Sequence, residues 1–161
     1  MTQTARYHHG DLHATLLQEA NTLLNEQGIE GLSLRKLAER AGVSRTAPYH
    51  HFRDKNALLC ALATQAFRQL DEMINSQLQE AGSQEGIQNF VREYLRFATE
   101  NPEQYELMFG RTIWKGGEPT DELKTIAYRS FRHYAERLAT LLAGRLPART
   151  DSLRVAQASW A

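Results

Sequence analysis

Cysteine is nearly missing from this chain. Its one cysteine, Cys60, rules out an intrachain disulfide, and that usage suits a reducing cytoplasm, the location expected here. No apolar run approaches the ~20 residues that a membrane-spanning helix needs. The opening residues, MTQTARYHHG, hold no apolar core of a secretion signal. Signatures of chemistry are missing as well: there is no glycine-rich phosphate loop, no zinc-type Cys/His set and no nucleophile elbow. His9 and His13 stand four apart, a spacing that can serve a metal on a helix, but no Cys or carboxylate completes a set around them. No metal, no cofactor and no enzymatic activity are therefore expected. Repeats and low-complexity segments are absent too.

What is present is the composition of a globular protein. Of 161 residues, 42% are hydrophobic and 24% charged, enough for one compact unit or two small helical domains. The 19 basic and 19 acidic residues cancel overall but are unevenly placed. Between Ser33 and Lys55 stand six basic residues (Arg35, Lys36, Arg40, Arg45, Arg53 and Lys55) against Glu39 and Asp54, a net of +4 that leaves −4 for the rest. A basic patch on an acidic body suits a phosphate backbone, because DNA affinity comes largely from displaced counterions. A membrane-surface role would need a basic amphipathic helix, and the only strongly basic stretch is this compact one.

That stretch, SLRKLAERAGVSRTAPYHHFRDK, has the pattern of two short helices and a tight turn. Ser33 is a suitable N-cap. Leu34, Leu37, Ala38 and Ala41 fall at helical spacing, with Arg35, Lys36, Glu39 and Arg40 outward. Gly42 can end the helix in the left-handed conformation, and Val43 can plug the angle. Ser44 is expected to cap a second helix with Arg45, Thr46 and Ala47 as its first turn. Pro48 lacks the N–H of a regular turn, so this second helix should be short and tightened. The geometry predicted is a helix-turn-helix, whose second helix enters the DNA major groove by its N-terminal residues. Arg45 and Thr46 are then the candidates for base edges. Phe52 and Val43 are expected in the core. Lys55, following Asp54 as N-cap, can clamp a phosphate together with the start of the next helix. Ser33 and Ser44 can spend their hydroxyls on capping, on phosphates or on both.

Tyr7 to Leu59, YHHGDLHATLLQEANTLLNEQGIEGLSLRKLAERAGVSRTAPYHHFRDKNALL, carries an amphipathic first helix, then G-x-x-x-x-S-L-R-x-L-A, A-G-V-S and Y-H-H-F-x-D-K. In order and spacing these resemble the DNA-binding domain of the tetracycline-repressor (TetR) family, over roughly a third of the chain. The resemblance implies that Tyr49 and His50 contact phosphates, the alternative for each being burial, and that Arg6 on a mobile arm of residues 1–10 reaches DNA. The candidate DNA-binding set is Ser33, Arg35, Ser44, Arg45, Thr46, Ala47, Tyr49, His50 and Lys55.

Around the reader, a first helix is expected from Asp11 to Gln27, with Leu12, Leu16, Ala20, Leu23 and Leu24 inward and Gly28 stopping it. A long helix from about Lys55 to Glu80 bears Leu58, Leu62, Ala66, Leu70, Met73 and Ile74 in one stripe. It is too long for the small domain alone and becomes the lever into a second. Cys60 on it is expected as a packed thiol. After a break at Ala81-Gly82-Ser83 come three more stretches. The first is an amphipathic helix with Ile87, Phe90, Val91, Tyr94, Leu95 and Ala98 inward. The second is a short helix from Glu103 to Phe109, followed by a loop from Trp114 to Pro119. The third is a helix from Asp121 to about Arg145, with Leu123, Ile126, Ala127, Phe131, Tyr134, Leu138, Leu141 and Leu142 inward. A last pattern from Asp151 ends on Trp160-Ala161, without a C-cap, and so looks cut off. By the resemblance, further helices would complete a dimer interface, leaving an exposed apolar face here.

The fold class expected is all-α. A three-helix helix-turn-helix domain, residues 6–56 with the reader helices at about 33–52, precedes a helical effector-binding and dimerisation domain, residues 57–161, truncated at its end. Tyr94, Phe97, Tyr105, Met108, Phe109, Trp114, Phe131 and Tyr134 either line an effector cavity, as the resemblance implies, or fill the core. Arg92, Arg96, Arg111 and His133 can supply polar anchors. The function expected is a homodimeric, DNA-binding transcriptional regulator, a repressor released from a pseudo-palindromic operator by a small molecule. The alternative is a helical interaction module of the same fold that binds no specific operator.

Overall fold

The computed structural model describes residues 9–77, 84–143 and 151–160. The expected arm with Arg6, the break at 81–83, the last turns of the two long helices towards Glu80 and Arg145, and Ala161 lie outside them. Among the described residues all regular structure is helical, and no helix is long and apolar enough to cross a membrane.

The N-terminal part is built from α1 (His9–Gly31) and α2 (Leu34–Ala41), followed by a single 3-10 turn, Ala47–His50. Helix α1 starts two residues earlier than expected and does not stop at Gly28. It kinks there, with φ 67° and ψ 179°, a conformation that glycine adopts without steric cost. Leu16, Ala20, Leu23 and Leu24 form its buried stripe and meet Leu34, Leu37 and Ala38 of α2. Eight residues are too few for a helix to stand alone in water, so α2 exists because it is packed and capped. Ser33 holds the extended cap conformation and its Oγ accepts from Lys36 N at 3.2 Å. At the other end Gly42, at φ 66°, donates to Glu39 O (3.4 Å), and Val43 donates to Ala38 O (3.1 Å). This is a Schellman closure.

Helix α3 (Lys55–Gln77) is the spine. The sequence predicts one apolar stripe, but the burial runs nearly all round. Leu58, Leu62, Ala66, Leu70 and Ile74 are buried as expected, and Leu59, Cys60, Ala63, Thr64, Phe67 and Asp71 are buried as well. The reason is its neighbours: α1, α4 (Gln84–Glu100), α5 (Pro102–Phe109), α6 (Arg111–Trp114) and α7 (Asp121–Leu142) all pack on it. Trp114 therefore ends a short helix rather than opening a loop. Thr120 caps α7, its Oγ1 accepting from Leu123 N at 3.3 Å. Asp151 caps α8 (Ser152–Ser159), which lies on α7.

Buried polar links join α3 to α7, beside the exposed Arg68–Glu122 pair at 2.6 Å and the Asn75–His133 contact at 3.4 Å. The buried Asp71 carboxylate lies 2.7 Å from His133 Nδ1 and 3.3 Å from Arg129, and the buried Ser130 hydroxyl donates to Phe67 O at 3.3 Å. Helix α4 departs from its expected face: Phe90 is buried, but Val91 and Leu95 are exposed. A 17-residue helix packed mainly on α3 and α5 has one narrow contact stripe, and its other apolar residues face outward.

A Cβ added at Gly42 would meet nothing within 4 Å, so only the backbone opposes a side chain there. Gly42→Ala is expected to cost about 1–2 kcal/mol, and Gly42→Asn less, because Asn tolerates the left-handed region. Urea unfolding of the three proteins checks both.

Candidate nucleic-acid interface and interior cleft

The reader surface follows from how α2 ends and α3 begins. After the Gly42 closure the chain turns at Ser44. Ser44 O accepts from Ala47 N at 3.0 Å, and its Oγ lies 3.2 Å from Thr46 Oγ1. Ser44 therefore does not cap a second α-helix, contrary to expectation. The N-cap position falls to Thr46, with no side-chain cap bond, and the second helix is the one turn Ala47–His50. Pro48 accounts for this. It cannot donate, it is buried, and its carbonyl takes both His51 N (3.0 Å) and Phe52 N (2.9 Å). Below the turn, Phe52 is buried beside the His13 and His51 rings, with His13 5.4 Å from Phe52 and 5.6 Å from His51. His13 is thus an aromatic brace between α1 and the turn. Among the described residues no His, Cys, Asp or Glu group has metal-binding geometry.

Burying Pro48 and Phe52 pushes the neighbouring side chains outward. Ser44, Arg45, Thr46, Tyr49 and His50 are exposed, Tyr49 at 56%, while Ala47 and Lys55 are half-buried. Arg35 is exposed on α2, and Ser33 is half-buried, its Oγ accepting the cap bond and its hydroxyl hydrogen left to donate. The nine candidate residues thus fall between Ser33, where α2 starts, and Lys55, where α3 starts, with seven of them between Ser44 and Lys55. The net charge of this surface needs correction. Arg40 bridges back to Glu19 (2.8 Å) and Glu26 on α1, holding the Glu26 carboxyl below its usual range. Arg53 pairs with Asp54 at 2.8 Å, and Lys36 donates to Gln27 Oε1 at 2.8 Å. Among the described residues, the side chains of Arg35, Arg45 and Lys55 have no such partner. Spacing along a sequence gives charge but not which carboxylates come back from another helix.

Lys55 stands at the first turn of α3, where Asp54 Oδ1 accepts from Ala57 N at 2.8 Å. That amide bond, and then the Arg53 guanidinium, hold the Asp54 carboxyl below the ordinary carboxylate range. One residue on, Asn56 Nδ2 donates to Glu118 O at 2.8 Å. The turn after α6 thus touches the start of α3. A Cβ on Gly117 would come within 2.5 Å of Asn56 Oδ1. Cys60 is buried at the same junction, its Sγ 3.6 Å from Glu118 O, and burial pushes its thiol pKa up. It is a packed thiol, as expected.

The aromatic residues divide into two groups. Met108, Phe109, Trp114 and Phe131 line a cleft of about 370 Å³, together with Phe67, Lys124, Ala127, Tyr128 and Trp160. Tyr94, Phe97, Tyr105 and Tyr134 do not line it. Tyr94 and Tyr105 pack edge to face with their hydroxyls 3.3 Å apart, burial raising the Tyr94 pKa. Tyr134 meets Ser159 Oγ at 2.9 Å, and Phe97 packs on the core. None of the named anchors reaches the cleft. Arg92 pairs with Asn89, Arg96 with Glu93, and His133 with Asp71, while Arg111 lies outside the lining. Phe67 and Lys124 were legible only as one more core residue and one more surface charge. A second, wider groove between α1 and α3, about 670 Å³, is lined by neutral polar groups such as Gln18, Asn21 and Gln65. Asn21 donates to Gln65 across it at 2.9 Å and accepts from Gln104 of α5 at 2.8 Å.

A helix-turn-helix mounted on a helical bundle through one shared helix defines a two-part all-helical protein. Residues 16–62 match bacterial regulatory proteins of the tetR family, and residues 87–161 match the tetracyclin repressor-like C-terminal domain. The chain belongs to the TetR family. It is 59% identical over 49 residues to the class A tetracycline repressor protein from transposon 1721 of Escherichia coli, covering 30% of this chain and 23% of that one. It is 33% identical over 93 residues to the HTH-type transcriptional repressor AcnR of Corynebacterium glutamicum, covering 58% and 43%. The chain thus spans less than half the length of these curated relatives. A solved structure of a Rhodococcus sp. RHA1 protein of unknown function superposes with a TM-score of 0.79 at 32% identity, over 97% of this chain and 80% of that one.

A carboxyl with a depressed folded pKa stabilises the protein above its unfolded pKa, about 3.9 for Asp, and that contribution is lost as pH falls through the lower folded value. Asp54→Asn keeps a capping side chain without the charge. Its urea midpoint should fall less steeply than the parent's below about pH 4.

Proposed function

We propose that this chain is a DNA-binding transcriptional repressor, released from its operator by a small molecule. The observation that carries the reading is the reader surface. Arg45, Thr46, Tyr49 and His50 stand exposed on one rigid turn, and Lys55 follows at the start of the spine helix. In this reading the DNA-binding domain ends near residue 56, and 57–161 is the effector-binding and dimerisation domain. Arg45 and Thr46 read base edges. Ser33, Arg35, Ser44, Tyr49, His50 and Lys55 hold phosphates, and Ala47 lets the turn approach them. Two copies would present their readers about 34–36 Å apart, one helical turn of DNA, on a pseudo-palindromic site. A cytoplasmic location fits that target. The names of the curated relatives, both repressors, support the sign of regulation.

The effector reading rests on the cleft. Trp114 lines it, and the backbone from Trp114 leads through Lys115 and Gly116 to Gly117 and Glu118, which meet Asn56. A ligand that shifts Trp114 therefore pulls on the residue beside Lys55. Only a differential affinity of a few kcal/mol between the two spacings is needed to release DNA.

Selection from random duplex DNA with the full chain should enrich a two-fold motif. If none is enriched, the chain is an interaction module instead. On the selected site Arg45→Ala should cost about 1–3 kcal/mol and relax one base position. Lys55→Ala should weaken all duplexes alike and reduce the salt slope by about one contact. Gly117→Ala, which pushes the loop off Asn56, should lower operator affinity several-fold in fluorescence anisotropy although it lies away from the DNA face. Unchanged affinity would disconnect the loop from the reader.

A further inference from the structure

The lining of the cleft is chemically one-sided. Phe67 from α3, Met108 and Phe109 from α5, Trp114 from α6 and Trp160 after α8 make its apolar walls. Helix α7 contributes one face, Lys124, Ala127, Tyr128 and Phe131, at the spacing that places residues three and four apart on one side. The polar groups in this set are few. Trp114 Nε1 is spent on Met108 O at 2.7 Å, the Tyr128 side chain is 68% exposed, and Lys124 is the only charged residue of the nine. At about 370 Å³ this open, largely apolar cleft stands at the small end of the ~300–1,000 Å³ range of small-molecule sites, which set a few polar groups in an apolar lining. The polar groups then decide which molecule fits.

Lys124 is not tied down. Its one partner among the described residues is Asp121, at 3.2 Å on the previous turn, with the lysine side chain 55% and the aspartate fully exposed. Such a pair is screened by solvent and holds its members weakly, so the ammonium is available to a ligand. Lys124 borders the aromatic lining with its side chain more than half exposed, the placement in which a lysine packs its stem and keeps its head in water. Among the described residues no acidic side chain lines the cleft to repel an anion. The wider groove between α1 and α3 has neither property: half of its lining residues are neutral amides and hydroxyls, and Arg68 there is paired with the acidic Glu122 at 2.6 Å.

We propose that the cleft takes a small apolar anion: a compact aromatic or alicyclic body carrying one carboxylate, with the body between Phe109, Trp114, Phe131 and Trp160 and the carboxylate on Lys124. This rests on the reading of the cleft as the effector site, and it narrows that reading to one class of molecule. A neutral apolar compound leaves the ammonium without a partner. A cation meets Lys124 as a like charge.

The chain has two tryptophans, and both line the cleft, so their indole N–H resonances report occupancy without a label on the ligand. The full chain, labelled with nitrogen-15, is titrated with naphthalene-2-carboxylate, naphthalene-2-carboxamide and naphthalen-2-ylmethylammonium. The same series is run on cyclohexane-based analogues. Lys124→Gln and Ala127→Phe serve as variants, the first removing the charge from an exposed position and the second filling the cleft. The proposal expects both indole signals to shift saturably, with the carboxylate binding roughly threefold to fivefold tighter than the carboxamide, the scale of a partly exposed ion pair, and the ammonium weakest. Lys124→Gln should abolish the preference and keep the amide affinity, and Ala127→Phe should abolish binding. Equal affinity for carboxylate and carboxamide, both lost in Ala127→Phe, would overturn the anion while leaving the cleft as a ligand site. A carboxylate preference that survives Lys124→Gln overturns the role of Lys124. No saturable shift with either series overturns both the ligand class and the cleft.

Discussion

The structure depends on the burial of one helix, α3, around almost its whole circumference. A surface helix needs an apolar stripe, but α3 offers Leu58, Leu59, Cys60, Leu62, Ala63, Phe67, Leu70 and Ile74 in several directions at once. Each fully buried leucine or phenylalanine contributes about 1.5–3 kcal/mol relative to exposure. The exposed ion pairs at its ends add little beside that. Because α1 and the C-terminal helices share this one core, the first turn of α3 cannot shift independently of either. The end that carries Lys55 is therefore tied to the core behind it, which in the proposed reading holds the surface in one shape against DNA.

Two local constraints turn that anchorage into a surface. Gly42 reverses the chain in a conformation other residues avoid, and Pro48 cuts the following helix to a single turn. With so short a helix, exposed side chains cannot spread along a groove. They emerge together at one place, with Phe52 and the His13 ring underneath. The positive charge is also trimmed rather than maximal. Arg40 and Arg53 are used inside the protein, on Glu19, Glu26 and Asp54, and of the six basic residues from Ser33 to Lys55 only Arg35, Arg45 and Lys55 have no side-chain partner among the described residues.

Much of this was legible in the sequence, for reasons that differ by element. The Ser33 cap, the Gly42 closure and the Asp54 cap are local, so a few adjacent residues determine them. The expectation that Ser44 caps an α-helix failed because the buried Pro48 carbonyl and the turn at Thr46 compete for the same backbone. The single stripe on α3 failed because periodicity reports how one face packs and does not count neighbours. The cleft was half legible. Aromatic content marked the region, but whether Tyr94 or Trp114 faces the opening depends on the tertiary meeting of α4, α5 and α7. Lys124 carried no signal of its own, since a lysine in a first helical turn is ordinary.

The central claim is that the surface between Ser33 and Lys55 lies against duplex DNA. Amide chemical shifts of the full chain, followed while a short duplex of arbitrary sequence is added at low salt, test it most directly. The account predicts the largest shifts at residues 33–36 and 44–56, reversed by added salt as counterions return to the phosphates. Shifts concentrated on α4 or α8 with residues 44–56 unmoved, or no shifts at all, would contradict it.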